Sequence, residues 1–497
     1  MSAFARPCET GKAAHEREVV GLDEQANELR DGRRDAVALL LPLCAGAQTD
    51  DRKSAPDIGH KVAADSSRAA DSSRDGSRAL TDAYNASGLA LFHELSDKSG
   101  NIVLSPLSVG TAMAMALSGA RGETAQEMAG VLKQSLDLSA MEAANAAVLS
   151  GLRAYDKSAL PPKCPPGMAP SGGRCEQAPS ASGQCLGLAR REGALCVAPG
   201  STPPSARLLT ANALMLTRRG DLVAGDYAAL LRDKYGAEVL HNVGVDDVNG
   251  WVKRQTEGKF ERILDRLDPA SPAIILNAVY FKAKWAATFS RSSTTDDPFN
   301  LSRQKKVAVP MMHRNGADAL VTRPLYRAIR LPYEVGSLGM IVILPDEPDG
   351  LDAVSRRLDA DEWAQLVAGL RAPAAVMPVD VALPRFKANS DAALAPLFKA
   401  AGMNRAFDLK QADFSGITGR PPAEVPLAIG AIVHRAVIEV MEDGTEAAAA
   451  TALVTVTASV RAPPPQQVFH VDRPFLFAIV DDTSGAILFQ GRIIDPR

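Results

Sequence analysis

Four cysteines lie close enough together to react with one another: Cys164, Cys175, Cys185 and Cys196. Ten, nine and ten residues separate consecutive members, inside a stretch rich in proline and glycine at 161–205. An even set at short intervals points to disulfides, for which three pairings exist. The expected pairing is Cys164–Cys175 with Cys185–Cys196, because both loops close over ten residues. Zinc is disfavoured, since no Cys-x-x-Cys occurs and no histidine lies nearby. The proline and glycine content marks this insertion as neither helix nor strand. It is read either as a surface excrescence without function or as a docking module.

A second segment has alternation that suits insertion into a sheet. From Gly444 the chain reads Thr445, Glu446, Ala447, Ala448, Ala449, Ala450, Thr451, and continues through a β-rich run to Ala458 and Ser459. Alternate positions (Thr445, Ala447, Ala449, Thr451, Leu453, Thr455 and Thr457) carry no charge. One face of such a strand can enter a packed interior without burying an unpaired charge, which costs several kcal/mol. No proline occurs from Gly444 to Arg461, so each backbone N–H is free to join a ladder. An ordinary alanine-rich helix is the competing reading. The single charge Glu446 and the β-branched run Val454–Thr457 weigh against it.

Motifs of catalysis are missing. The chain has no Gly-x-Ser-x-Gly, His-Glu-x-x-His, P-loop or Gly-x-Gly-x-x-Gly, and its seven histidines are scattered. An enzyme is not expected, and no cofactor or metal is implied.

The positioning elements read as α+β, with segregated helices and mostly antiparallel strands. Tyr84, Leu91, Phe92 and Leu95 fall on one helical face. Asn101–Leu104 is a short strand. Ser105 caps a helix with Pro106 at its first position, and Thr124 with Glu127 has capping-box spacing for the next. A helix over Met141–Ala154 precedes the insertion, and a strand over Leu208–Leu216 follows it. Strands are expected at Ile274–Phe281, Met340–Leu344 and Val433–Met441, and a hairpin at Phe475–Val480 with Ile487–Ile493.

Composition sets outer bounds. Hydrophobic residues make up 46% and charged residues 23%, which is globular. A net charge of −3 argues against general nucleic-acid affinity, and no apolar run is long enough for a membrane span. Residues 1–47 read as a leader: Arg33-Arg34, the apolar run Ala36–Leu43 and the site Ala45-Gly46-Ala47 make a signal-peptide pattern. Cleavage there removes Cys8 and Cys44 and leaves the four clustered cysteines. A secreted or periplasmic protein is expected, and a monomer. Lipidation of Cys44 is disfavoured by the bulk of Leu43. Residues 48–79, with the polar repeat Ala64–Arg68 and Ala70–Arg74, are expected to be a disordered tether. The main domain is then 80–497, interrupted by 161–205.

Several blocks, in order, resemble the serpin family. Asn101-Ile-Val-Leu-Ser105-Pro-Leu-Ser108, Gly122–Met128, Leu276–Trp285, Leu383–Phe386 and Asp472–Phe477 are similar to its signatures, and Glu439–Val460 resembles its hinge and reactive-centre loop. The resemblance covers about 80–497. It implies about nine helices around three β-sheets, with a large central sheet and an exposed loop. It also implies a suicide inhibitor. A serine protease attacks the loop, forms an acyl-enzyme and is trapped when the cut loop inserts into the sheet. The hinge is then Gly444 to Thr451. Ser105, Ser108, Asn277 and His434 match the region where the sheet parts, and Trp285 matches the top, where insertion begins. Counting from Gly444 places the reactive bond at Ala458–Ser459, which suits elastase-like or subtilisin-like proteases. Arg461–Ala462 is the alternative, which suits trypsin-like ones. A non-inhibitory binding protein acting through the insertion is the alternative function.

Overall fold

The computed structural model describes residues 58–95, 99–157, parts of 168–199, 205–216, 222–242, 244–266, 272–445 and 466–497. Among them are ten α-helices and three β-sheets, an α+β arrangement. The leader, Cys164, residues 446–451 of the hinge and the bond Ala458–Ser459 lie outside the described residues.

Helix Pro106–Gly119 begins where the sequence predicts. Ser105 is extended, at φ −109°, and its hydroxyl accepts from the Ser108 N–H, while Pro106 fills the first turn. Every residue of this helix is buried. It is apolar all round because it packs against strands of both large sheets, Ile487–Ile493 and Ala273–Lys284.

Three expectations are corrected. The first concerns the tether. The predicted face of Tyr84, Leu91, Phe92 and Leu95 is buried, but the helix that carries it runs Ile58–Leu95 and takes in the polar repeat. No proline or glycine interrupts the chain between Gly59 and Gly76. A helix nucleated and anchored by its packed end gains one hydrogen bond per residue as it grows.

The second concerns the capping box. The helix starts earlier, spanning Gly122–Val131, with Arg121 at its N-cap. The Thr124 hydroxyl instead accepts from the Asp413 N–H, and Glu127 accepts from the Asn404 and Arg405 N–H groups. Both side chains brace a neighbouring loop instead of their own helix end.

The third concerns the insertion. It forms a four-stranded antiparallel sheet of Ala169–Ser171, Arg174–Gln177, Leu195–Pro199 and Arg190–Glu192, in that order. Its strands are 3 to 5 residues long, so most prolines and glycines fall between them. Cys185 and Cys196 are bridged as expected. Cys175 is also in a disulfide, and its expected partner Cys164 lies outside the described residues. Cys175 and Cys196 are buried. Disulfides here stand in for the hydrophobic core that so short a segment cannot build.

The larger sheet has nine strands and includes the hairpin Phe475–Asp481 with Ile487–Ile493. The sheet that holds the loop's root has six: β1 Ala206–Leu216, β2 Glu238–His241, β3 Ala273–Lys284, β4 Phe386–Ala393, β5 Ile429–Met441 and β6 Gly444–Thr445. Their order is β4-β5-β6-β3-β1-β2. Below the two-residue β6, β5 and β3 pair directly and in parallel, His434 opposite Asn277. Burial on both faces explains the near-continuous apolar run in β3, whereas β5 alternates buried and partly exposed positions along its length. One face of β3 (Val279, Phe281, Ala283) joins the main core over helix Pro106–Gly119. Ile274, Leu276, Ala278 and Tyr280, on the other, pack under helix Val245–Gln255 through Val248, Trp251 and Val252.

Candidate functional site: the strand junction and the root of the loop

Five polar side chains meet inside the junction of β3 and β5. His434 is 0% exposed and Asn277 is 1%. Nε2 of His434 accepts from the Ser105 N–H at 3.3 Å. A backbone nitrogen can only donate, so the ring proton sits on Nδ1. Nδ1–H donates to Asn277 Oδ1 at 2.5 Å. The Asn277 amide then donates to Ser108 Oγ at 2.6 Å and to Asn212 Oδ1 at 2.5 Å. Ser105 Oγ donates to the Leu488 carbonyl at 2.6 Å. His434, Asn277 and Asn212 face one another on three neighbouring strands. Burial lowers the His434 pKa from 6.5 to about 3, so the imidazole is neutral at pH 7.

The structure therefore brings Ser105, Ser108, Asn277 and His434 together, and adds Asn212, which the sequence reading missed. A lone asparagine inside the apolar strand Ala211–Leu216 was the available signal.

A second cluster lies where β6 begins. Trp285 is buried and stacks on Tyr333, with ring centroids 4.5 Å apart at 6°. Its indole N–H donates to the Met441 carbonyl at 3.0 Å, and its backbone N–H donates to the Asp443 carbonyl at 3.1 Å. The Tyr333 hydroxyl meets Thr445 Oγ1 at 2.8 Å. Trp285 therefore holds both the end of β5 and, through Tyr333, Thr445 of β6.

Glu442 is buried just before the hinge. Arg385 Nε donates to its Oε1 at 2.7 Å and the Thr294 hydroxyl at 2.6 Å. Burial pushes this carboxyl up, but the Arg385 and Thr294 hydrogen bonds outweigh burial and hold it below the ordinary value. Tyr333, Arg385 and Glu442 were not singled out as site residues from sequence. Arg385 and Glu442 sit within the blocks Leu383–Phe386 and Glu439–Val460, but their pairing is tertiary.

Gly444 and Thr445 are already wedged between two strands. Thr445 is opposite Val440 of β5 and Ala283 of β3. It is 0% exposed. Gly444 has φ +149°, and a Cβ there would lie 2.2 Å from the Ala283 carbonyl oxygen. Glycine is required at this position because of that close backbone approach.

A family model for serpins, serine protease inhibitors, matches residues 82–496. An uncharacterized serpin-like protein of Thermococcus kodakarensis is 32% identical over 426 residues, covering 84% of this chain and 86% of that protein. Leukocyte elastase inhibitor A of Mus musculus is 29% identical over 437 residues, covering 84% and 99%. Among solved structures, the thermophilic serpin tengpin in its native state shares the fold, with a TM-score of 0.66 at 22% identity over 84% of this chain and 94% of that one. With a family model matching most of its length and a relative 32% identical over most of both chains, this chain belongs to the serpin family.

Proposed function

We propose that the protein is a suicide-substrate inhibitor of serine proteases. It traps an acyl-enzyme by drawing the cleaved reactive-centre loop between β3 and β5. The observation that carries this reading is the seating of Gly444 and Thr445 between those strands, with the parallel β3–β5 pairing directly below.

Register supports it further. Continuing the pairing of Thr445 with Ala283 and Val440 sets Ala447 opposite Phe281 and Ile438, and Ala449 opposite Val279 and Ala436. Thr451 then falls between Asn277 and His434. In that inserted register Ala447, Ala449, Thr451 and Leu453 would share the face of Thr445 toward helix Pro106–Gly119, and none is charged, while Glu446 would take the opposite face. Small side chains let the strand enter without displacing the core, which favours insertion over deacylation.

In this mechanism Trp285, Tyr333 and the Glu442–Arg385 pair hold the entry point. Ser105, Ser108, Asn212, Asn277 and His434 hold the junction that must part. Strand entry exchanges the direct β3–β5 ladder for two new ones, a net gain of backbone hydrogen bonds that drives the reaction.

The reactive bond is Ala458–Ser459, and the target is a protease that accepts a small residue, elastase-like or subtilisin-like. The name of the Mus musculus relative is in keeping with this preference. Export by the leader ending at Ala47 would bring the inhibitor to extracellular proteases. The test is incubation of residues 48–497 with elastase-like, subtilisin-like and trypsin-like enzymes. Denaturing gels and mass spectrometry then read the products. A detergent-stable adduct and a released peptide beginning at Ser459 are expected. A peptide beginning at Ala462 would move the bond to Arg461. Clean cleavage without adduct across the panel would overturn inhibition.

A further inference from the structure

The seam between β3 and β5 is bridged on both of its faces. On the inner face His434 bonds to Asn277. The next residue of β5, Arg435, lies opposite Ala278 of β3 and turns to the outer face. Its side chain is 25% exposed. Nη1 donates to the Arg262 carbonyl, and the guanidinium lies 5.9 Å from the centre of the buried Phe260 ring. Nε lies 2.7 Å from Asp391 Oδ1 on β4.

Phe260 and Arg262 belong with the opposite half of the sheet. They lie in the segment 256–264 that follows helix Val245–Gln255. Asn249 of that helix holds the segment in place. Its Oδ1 accepts from the Ile263 and Leu264 N–H groups at 2.7 and 3.1 Å, and its Nδ2 donates to the Leu264 carbonyl at 2.9 Å. The helix is fastened to β2, where Trp251 Nε1 and Gln255 Nε2 donate to the two Glu238 carboxylate oxygens at 3.0 Å each. Arg207 of β1 donates through Nη1 to Glu257 Oε2 at 3.0 Å. Helix, segment, β1, β2 and β3 are thereby joined as one body. On the other side, β4 and β5 are tied to the chain at Ile102–Ser105: the Val103 N–H donates to Ser390 Oγ at 2.8 Å, and the Ser105 N–H to His434.

We propose that Arg435 is a latch on the outer face of this seam, a positioning residue that sets how readily β3 and β5 part to admit a strand. The proposal rests on the insertion mechanism above. A strand entering between β3 and β5 moves them apart by one further spacing, about 4.8 Å, which takes the guanidinium out of hydrogen-bond reach of the Arg262 carbonyl. The contact exists in the closed sheet and is lost in the open one, so it raises the barrier to opening. Asp391 stays beside Arg435 in both states, because β4 moves with β5. The guanidinium is partly exposed, so on release it returns to water and leaves no buried charge behind. A latch of this kind holds the sheet shut without penalising the inserted state.

The test is amide hydrogen exchange on the full chain, read by mass spectrometry, for wild type, Arg435→Leu and Arg435→Lys. The ladder between β3 and β5 exchanges through opening of the seam, so peptides covering 273–284 and 429–441 report the latch. Peptides covering 475–493, in the nine-stranded sheet, report overall stability. Arg435→Leu should exchange about tenfold faster in the two seam peptides and like wild type in 475–493. Arg435→Lys can still donate to the carbonyl and should restore most of the protection. Unchanged exchange of the seam peptides in Arg435→Leu would overturn the latch. Equal acceleration in all three regions would also overturn it, because it would assign Arg435 a part in general stability. Exchange is read without a protease, so a wild-type protein that forms no adduct with any enzyme of the panel would remove the inhibitory reading and leave the latch to be decided by these peptides.

Discussion

His434 Nδ1 lies 2.5 Å from Asn277 Oδ1, and this bond crosses the junction between β5 and β3. Its other nitrogen is occupied by the Ser105 N–H, so the ring is committed to one neutral tautomer. A second proton would have to displace one of these partners in a site sealed from water.

That geometry makes the junction sensitive to acid. The folded pKa of His434 is lowered to about 3 from 6.5. A group depressed in the folded state stabilises it fully above the unfolded pKa. That contribution is lost progressively as pH falls from 6.5 toward 3. At pH 5 the loss is about 2 kcal/mol. The thermal midpoint of the native protein should drop between pH 7 and 5, with faster spontaneous loss of inhibitory capacity. His434→Gln should flatten this dependence, and equal slopes for the two proteins would sink the assignment.

How much of this was legible beforehand differs by residue. Ser105 and Pro106 announced a helix start through local chemistry, and the helix begins there. The hinge alternation is a one-dimensional pattern, and its first member, Thr445, points inward as expected. Tyr333 gave no such signal, because its contact with Thr445 spans 112 positions. The Arg385–Glu442 pair spans 57. Thr124 and Glu127 had correct local spacing but were recruited by a loop nearly 300 residues away, at Asp413 and Asn404. Tertiary demand overrode a weak local motif. The insertion failed in the opposite sense: proline and glycine content hid strands that disulfides, not propensity, hold in place.

Arg385→Ala tests the entry point. It leaves the Glu442 carboxylate, 2% exposed, with the Thr294 hydroxyl but without its cation. Because the Arg385 end of the pair is 41% exposed, its loss costs about 1–2 kcal/mol, less than for a fully buried pair. The native midpoint should fall and self-association on mild heating should rise, read by light scattering. Adding Glu442→Gln should restore part of the loss, since a neutral amide needs no counter-charge. A single variant as stable as wild type would show that the pair does not secure the top of the sheet.

Thr445→Arg tests the hinge. The threonine hydroxyl contacts Tyr333 in a site with no exposure, and a guanidinium cannot be seated there without an unpaired buried charge. Insertion should slow below deacylation. The protease should then cut the loop and leave. Gels should show cleaved protein accumulating at least tenfold over adduct. Trapping at the wild-type ratio would contradict entry of this face into the sheet.

Thr451 offers a test confined to the inserted state. In the native sheet His434 and Asn277 bond directly, so that rung holds no place for a loop residue. Entry of a strand between them parts the two side chains by about two strand spacings, about 9.6 Å, and breaks their bond. The continued register brings the Thr451 hydroxyl between them, able to accept from the His434 Nδ1–H and donate to Asn277 Oδ1. Thr451→Val keeps the shape and removes both bonds, leaving two buried polar groups unsatisfied at a cost of about 1–3 kcal/mol each. The cleaved form should unfold at lower denaturant than cleaved wild type, while the native form is unchanged. Equal cleaved-form stabilities would mean that the loop enters in another register, and the count from Gly444 to Ala458 would have to be redrawn with it.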